Sequence, residues 1–227
     1  PRPGLRLTVT ANTDFAETEV DDRQVNLGRF PLFFPERRDF FLDDSDLYDF
    51  GGINRDPLPF YSRRIGLDAS GNRQDVDLGV KATGRLGQYR LGFLNTKMNG
   101  SGDIDGENLG VLRLRTDVLR ESTAGLIMTW GDPAGGRATT AGVDFNWRRS
   151  DLEDGGTATG NAWAQFTDNE DSSGGAFGGK LSYSSDTFSI RGGVARLLEG
   201  FDPKLGFVRV PEADEWFYGI YRAWRPE

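Results

Sequence analysis

From Gln74 onward the chain alternates apolar and polar residues with a period of two. Thr139, Ala141, Val143, Phe145 and Trp147 interleave with Thr140, Gly142, Asp144, Asn146 and Arg148. Val76, Leu78, Val80 and Ala82 do the same against Asp77, Gly79, Lys81 and Thr83, as do Phe188, Ile190, Gly192 and Val194 against Ser189, Arg191 and Gly193. Successive side chains of a strand point to opposite faces, so the pattern predicts strands with one apolar and one strongly polar face. Strands are expected near residues 74–85, 88–98, 107–119, 122–131, 138–149, 157–167, 176–184, 187–198 and 215–225. Upstream, Leu5, Leu7, Val9 and Ala11 alternate with Arg6, Thr8 and Thr10 as a first strand, and Phe60 to Leu67 reads as a second. The recurrence is of pattern only, without a sequence repeat of fixed period.

Residues 12–58 follow neither period and are expected to be irregular, with one or two short helical turns. Their densest part is Arg29-Phe30-Pro31-Leu32-Phe33-Phe34-Pro35-Glu36-Arg37-Arg38-Asp39-Phe40-Phe41-Leu42. Its Phe and Leu side chains gain roughly 1.5–3 kcal/mol each on burial. Charges set among them need partners, or desolvation outweighs the packing. Glu36, Arg37, Arg38, Arg63 and Arg64 are therefore the candidate charge cluster, structural in kind, with Glu17, Glu19, Asp21, Asp22, Asp43, Asp44 and Asp46 as nearby acids. Pro35 suits the first position of a short helix, with Glu36 favourable at its N-terminal end.

The expected fold is all-β, an antiparallel up-and-down meander of about 10–11 strands. It forms one domain over 1–227, with 12–58 as a plug-like segment and 60–227 as the strand meander. Alternation alone fits a soluble sandwich as well as a membrane barrel. Three features favour the barrel. Several strands reach about 9–12 residues, close to what a tilted membrane strand needs. Short connections at 86–88, 120–121 and 185–186 alternate with longer ones at 99–106, 131–136, 168–175 and 199–214, although 150–156 is too long for its place. Tyr89, Trp130, Trp147, Phe166, Tyr183, Phe188, Trp216 and Trp224 fall at the ends of the apolar series, as an interfacial girdle requires. An irregular segment cannot face lipid, so 12–58 is expected inside the ring or capping one mouth, with Glu36, Arg37, Arg38, Arg63 and Arg64 placed to pair with inward carboxylates such as Asp77 and Asp144.

The stretches Thr8 to Asp21, Val25-Asn26-Leu27, Phe33-Phe34-Pro35-Glu36-Arg37-Arg38-Asp39-Phe40-Phe41-Leu42 and Phe60-Tyr61-Ser62-Arg63-Arg64-Ile65-Gly66 together resemble a known family. So does Phe201-Asp202-Pro203-Lys204-Leu205-Gly206-Phe207-Val208. It is the uncharacterised β-barrel domain of bacterial outer-membrane proteins that typically follows a family-nine-like carbohydrate-binding domain. The resemblance implies an outer-membrane location, lipid as partner, and a carbohydrate ligand reached through an upstream domain missing here. Ala11 and Thr13 depart slightly from the family's pattern, and the chain stops where members continue into further strands. It reads as a fragment of a longer exported protein.

Composition narrows the chemistry. Lys+Arg 27 against Asp+Glu 35 gives a net charge of −8, which argues against a nucleic-acid partner. With Cys 0 and His 0 the chain has no disulfide framework, no thiolate site and no imidazole base or zinc ligand. No run of about 18 apolar residues occurs, so no transmembrane helix is expected. Asp103-Ile104-Asp105-Gly106-Glu107-Asn108 spaces acids like a calcium loop, but Leu114 stands where the closing Glu belongs, and a Gly-rich hairpin loop is the better reading. Asp43-Asp44-Ser45-Asp46 reads as a helix end or solvated loop, and Asp168-Asn169-Glu170-Asp171 as an exposed acidic loop. No local motif singles out a carboxylate pair, so no catalytic, metal or cofactor residue is assigned. The expected function is passage or surface handling of a ligand by a non-enzymatic membrane barrel. The alternatives are a soluble carbohydrate-binding module and a glycoside-hydrolase-like enzyme.

Overall fold

The computed structural model describes residues 4–13, 30–51, 56–67, 74–99 and 106–224. Its ten strands form one antiparallel sheet in strict chain order, each hydrogen-bonded to the next. They are β1 (Gly4–Thr13), β2 (Val76–Leu86), β3 (Tyr89–Met98), β4 (Asn108–Val118), β5 (Ser122–Trp130), β6 (Ala138–Arg149), β7 (Thr157–Asn169), β8 (Ser173–Ser184), β9 (Phe188–Leu197) and β10 (Asp214–Arg222). Among the described residues β1 and β10 are the two edges of an open sheet. The all-β, up-and-down arrangement agrees with the period-two reading.

Three local expectations fail. Phe60 to Leu67 is not a strand: Ser62–Arg64 is a single 3-10 turn. Its carbonyls are used differently, since the Arg38 guanidinium takes Ser62 O at 2.8 Å and Ile65 O at 2.7 Å. The long loop at 168–175 is absent too, because β7 runs to Asn169 and β8 starts at Ser173, with Asp168 paired to Ser173. Asn169 N–H closes this tight turn on Ser172 O at 2.9 Å. Pro35 opens no helix. The α-helical turn α1 (Asp39–Leu42) begins four residues later, after Arg38 in extended conformation.

The ladder divides the sheet into two faces. On one, Leu7, Val9, Leu126, Met128, Val143, Phe145, Phe166, Phe177, Leu181, Val194, Trp216 and Ile220 are exposed. On the other, Lys81, Thr96, Arg113, Thr129, Thr140, Asp144, Gln165 and Thr167 are buried. This is the reverse of a soluble sandwich, whose apolar faces meet and whose polar faces see water.

Residues 30–51 and 56–67 account for the burial, because they lie on the polar face. Phe41, Tyr48 and Ile65 join Leu94, Met98, Leu109, Val111 and Ile127 in one core, with Phe40, Phe50 and Phe60 against it. A second core gathers Trp163, Ala176, Ala195, Leu197 and Phe201, with Phe50 again in contact. Gly51 permits that approach: a Cβ there would sit 2.6 Å from Trp163 Cβ. Not all the Phe and Leu side chains expected to leave water do so, since Phe30, Phe33 and Leu42 stay exposed while Phe41 is buried.

The strand connections fall at two ends. One carries 87–88, 119–121, 150–156 and 185–187 (the turn end); the other carries 14–75, 99–107, 131–137, 170–172 and 198–213 (the loop end). Segments 150–156 and 170–172 break the short–long alternation in opposite senses.

Candidate functional site

The predicted cluster splits into parts with different partners. Glu36 and Arg38 form a forked pair: Arg38 Nη2 lies 2.7 Å from Glu36 Oε2, and Arg38 Nε donates to Oε1 at 2.8 Å. Ser62 Oγ donates to the same carboxylate at 2.5 Å, and the backbone N–H groups of Arg37 and Arg38 donate to Oε1 at 3.0 Å. Burial pushes the Glu36 carboxyl up, but the hydrogen bond and charge of Arg38, helped by Ser62, prevail and hold it below its ordinary value. A carboxylate so fully engaged orders a chain segment and is not poised to move a proton.

Arg64 reaches elsewhere, its Nε donating to Gly206 O at 3.2 Å. Arg37 is exposed and Arg63 half-buried. The acids Glu17, Glu19, Asp21 and Asp22 lie outside the described residues, as do residues 103–105 of the 103–108 loop. The two stretches that share the family resemblance meet here. Leu58 and Phe207 exchange backbone hydrogen bonds at 2.9 Å in each direction, and Tyr61 N–H donates to Leu205 O at 2.7 Å. Phe207 packs edge-on to Phe33, with ring centres 5.3 Å apart. Asp56, raised by burial, takes Arg209 N–H at 3.2 Å in the same region.

The expected pairing of this cluster with Asp144 does not occur. Asp144, on β6, belongs to Arg113 on β4, two strands away. Arg113 Nη2 donates to Asp144 Oδ2 at 2.9 Å, and Nη1 lies 2.7 Å from Oδ1 though off the hydrogen-bonding direction. Arg113 also lies over the Phe50 ring, 5.3 Å from its centre. The pair fits because Gly125 sits between the two strands: a Cβ there would come 2.5 Å from Arg113 Nη1 and 2.6 Å from Asp144 Oδ1. Asn146 Nδ2 donates to Asp144 Oδ2 at 3.0 Å, and Asn161 Nδ2 to Asn146 Oδ1 at 2.8 Å. A polar relay thus crosses β4 to β7 on the packed face.

Lys81 plays a comparable part on β2, donating to Phe40 O at 2.6 Å and Asp43 O at 2.9 Å. Sequence reasoning missed Arg113 and Lys81, although each stands at a polar position of an alternating strand. The signal was the charge itself: a cation amid alternation marks a face that is buried only if something polar covers it.

Asp43-Asp44-Ser45-Asp46 forms the entry to a 3-10 turn at Ser45–Tyr48, with Asp44 Oδ2 accepting from Thr83 Oγ1 at 2.7 Å. Among the described residues no three acidic side chains gather as metal ligands, and no helix is long and apolar enough to cross a membrane. The latter says nothing of crossing by strands.

Fold and site together define a class: an antiparallel up-and-down β-sheet protein whose charged face is packed and whose apolar face is bare. Residues 5–100 match a family model described as Domain of unknown function (DUF5916), so this part of the chain is similar to an uncharacterised domain family. The chain matches no curated protein and no solved structure.

Proposed function

We propose that the chain is a non-enzymatic outer-membrane β-barrel domain of a bacterium, acting in the passage or surface handling of a ligand. In this reading the exposed face meets lipid, and residues 30–51 and 56–67 form a plug on the lumen side. One observation carries the proposal: apolar side chains are bare along strands from β1 to β10 while Lys81 and Arg113, each 1% exposed, are shielded on the opposite face. Water offers no reason for that inversion. A hydrocarbon solvent outside the sheet and a polar interior do.

Strand length supports it. Strands of 9 to 13 residues at about 3.4 Å per residue, tilted as membrane strands are, cross roughly 25 Å. So does the placing of aromatics. Register puts Tyr89, Trp147, Tyr183 and Phe188 near the turn end and Trp130, Phe166 and Trp216 near the loop end, two belts with aliphatic residues between them. The glycan association of the resembled family makes a carbohydrate the first ligand class to try.

The test is refolding into vesicles whose acyl chains carry bromine. Trp216, at 72% exposure, and its companions should be quenched by lipid. A chain that stays monodisperse without detergent and shows no quenching refutes the proposal.

A second reading rests on one feature. Trp216 and Tyr218 lie parallel on the exposed face, ring centres 6.1 Å apart and planes within 1°, a platform on which a soluble carbohydrate-binding module would stack a sugar. That reading leaves the rest of the bare apolar face without a role. Sugar-dependent protection of Trp216 in plain buffer would favour it.

A further inference from the structure

Toward the turn end, β5 to β10 line a cavity of about 770 Å³ on the packed face, and the described parts of the covering segment take no part in its lining. That volume lies within the roughly 300–1,000 Å³ of small-molecule sites. Register places Thr123, Asn146 and Asn161 in one row across β5, β6 and β7, with Thr159 and Ser182 paired in the next. Neighbouring groups of this floor stand about 4.8 Å apart across the strands and about 6.8 Å apart along them. Phe217 closes the far side of the first row. A Cβ on Gly193, its partner on β9, would come 2.6 Å from Phe217 Cε1, so the ring lies across β9 and forms a wall of the cavity.

From this floor we infer that the cavity binds a neutral solute carrying several hydroxyl groups, a polyol or a saccharide. The inference rests on the barrel reading for its lumen location and not for its chemistry. The polar relay fixes the direction of each amide. The Asp144 carboxylate only accepts, so Asn146 must turn Nδ2 toward it, at 3.0 Å. Asn146 Oδ1 then accepts from Asn161 Nδ2 at 2.8 Å, and Asn161 Oδ1 is left as the acceptor at the end of the relay. That oxygen is buried and takes no hydrogen bond, in a residue only 9% exposed. A buried acceptor without a donor is costly, so its partner must carry an O–H or N–H. A carboxylate would set lone pairs against a lone pair. An ammonium group has the donor, but Arg191 lines the same cavity and repels it. A hydroxyl meets both conditions. Thr159 Oγ1 and Ser182 Oγ, 2.7 Å apart, spend one proton on each other. Between them an O–H and lone pairs remain for a second hydroxyl, which donates and accepts in turn. The Phe217 ring offers the apolar surface that the C–H side of such a solute covers.

Binding of maltose, myo-inositol, citrate and choline to the chain in a sugar-free detergent is read by saturation-transfer NMR, which registers weak ligands. Maltose or inositol should bind saturably, and citrate and choline should not. Asn161→Ala should weaken binding about tenfold, the loss of one hydrogen bond at a buried acceptor. Phe217→Ala should weaken it about fivefold. Arg149→Gln, on the exposed face of β6, should leave it unchanged. If Asn161→Ala fails to refold, Thr159→Val carries the same expectation. Binding of citrate or choline in place of the polyols, or unchanged polyol affinity in the cavity variants, overturns the site. So does polyol binding that survives Asn161→Ala and is lost in Trp216→Ala, which would place the solute on the outer face. Lipid quenching of the same protein in vesicles separates the two ideas: quenching without polyol binding defeats the site alone, and polyol binding without quenching defeats the barrel alone.

Discussion

Replacing Asp144 by Asn tests the packed face most directly. The substitution keeps size and shape, but it puts an amide where the Arg113 guanidinium has a carboxylate. The side chains of Arg113 and Asp144 are 1% and 2% exposed, so the cation would be left buried without its counter-ion. Removing one partner of a buried pair costs about 3–5 kcal/mol, mostly the desolvation of the partner left behind. The Phe50 ring, 5.3 Å from the guanidinium, offsets only about 0.5–2 kcal/mol of this, and Gly125 leaves no side chain to help. Urea unfolding in vesicles, read by the emission of the five tryptophans, measures the loss as a lower midpoint at unchanged slope. An apolar double replacement, Arg113→Met with Asp144→Leu, should recover most of it, because both charges then go together. A loss under about 1 kcal/mol for Asp144→Asn would refute the reasoning, since it would mean the guanidinium finds water freely.

Other consequences follow from the same contacts. Glu36→Gln should cost about 3 kcal/mol, as Arg38 loses its charged fork while staying buried. The Glu36 carboxyl is held below its ordinary 4.5, so its contribution is complete above that pH and is lost as the pH falls further through the folded value. Stability against pH from about 7 down to 3 should therefore steepen at the acid end in the wild type and flatten in Glu36→Gln. Gly51→Ala should cost about 1–3 kcal/mol, because the added methyl meets Trp163 at 2.6 Å; earlier proteolysis within 30–67 reads the loosened segment. Val143→Lys on the exposed face should cost about 2–4 kcal/mol in vesicles, against under about 0.5 kcal/mol for a water-exposed site; equal stability to wild type in vesicles contradicts a lipid-facing Val143.

Much of the architecture was readable because strand geometry is local. A period of two assigns side chains to faces without knowledge of anything distant, so β2 to β10 and the shared face of Val143, Phe145 and Ala141 could be found from the residues themselves. The same logic misread Phe60 to Leu67, whose pattern suits a strand but whose carbonyls are claimed by Arg38, more than twenty residues upstream. It also sent Asp144 to the wrong partner, because alternation says which face a charge occupies and nothing of which cation stands beside it.

The chain by itself determined the strands, their order of folding back, and the separation of apolar from charged positions, since each depends on neighbours along the backbone. Only the tertiary structure decided which of the two faces is covered. That choice rests on contacts between remote segments: Phe50 against β4, Gly51 against Trp163, and Leu58 bonded to Phe207. Burial is a property of what arrives from elsewhere. With residues 30–51 and 56–67 seated on the charged side, the apolar side is left to meet its surroundings.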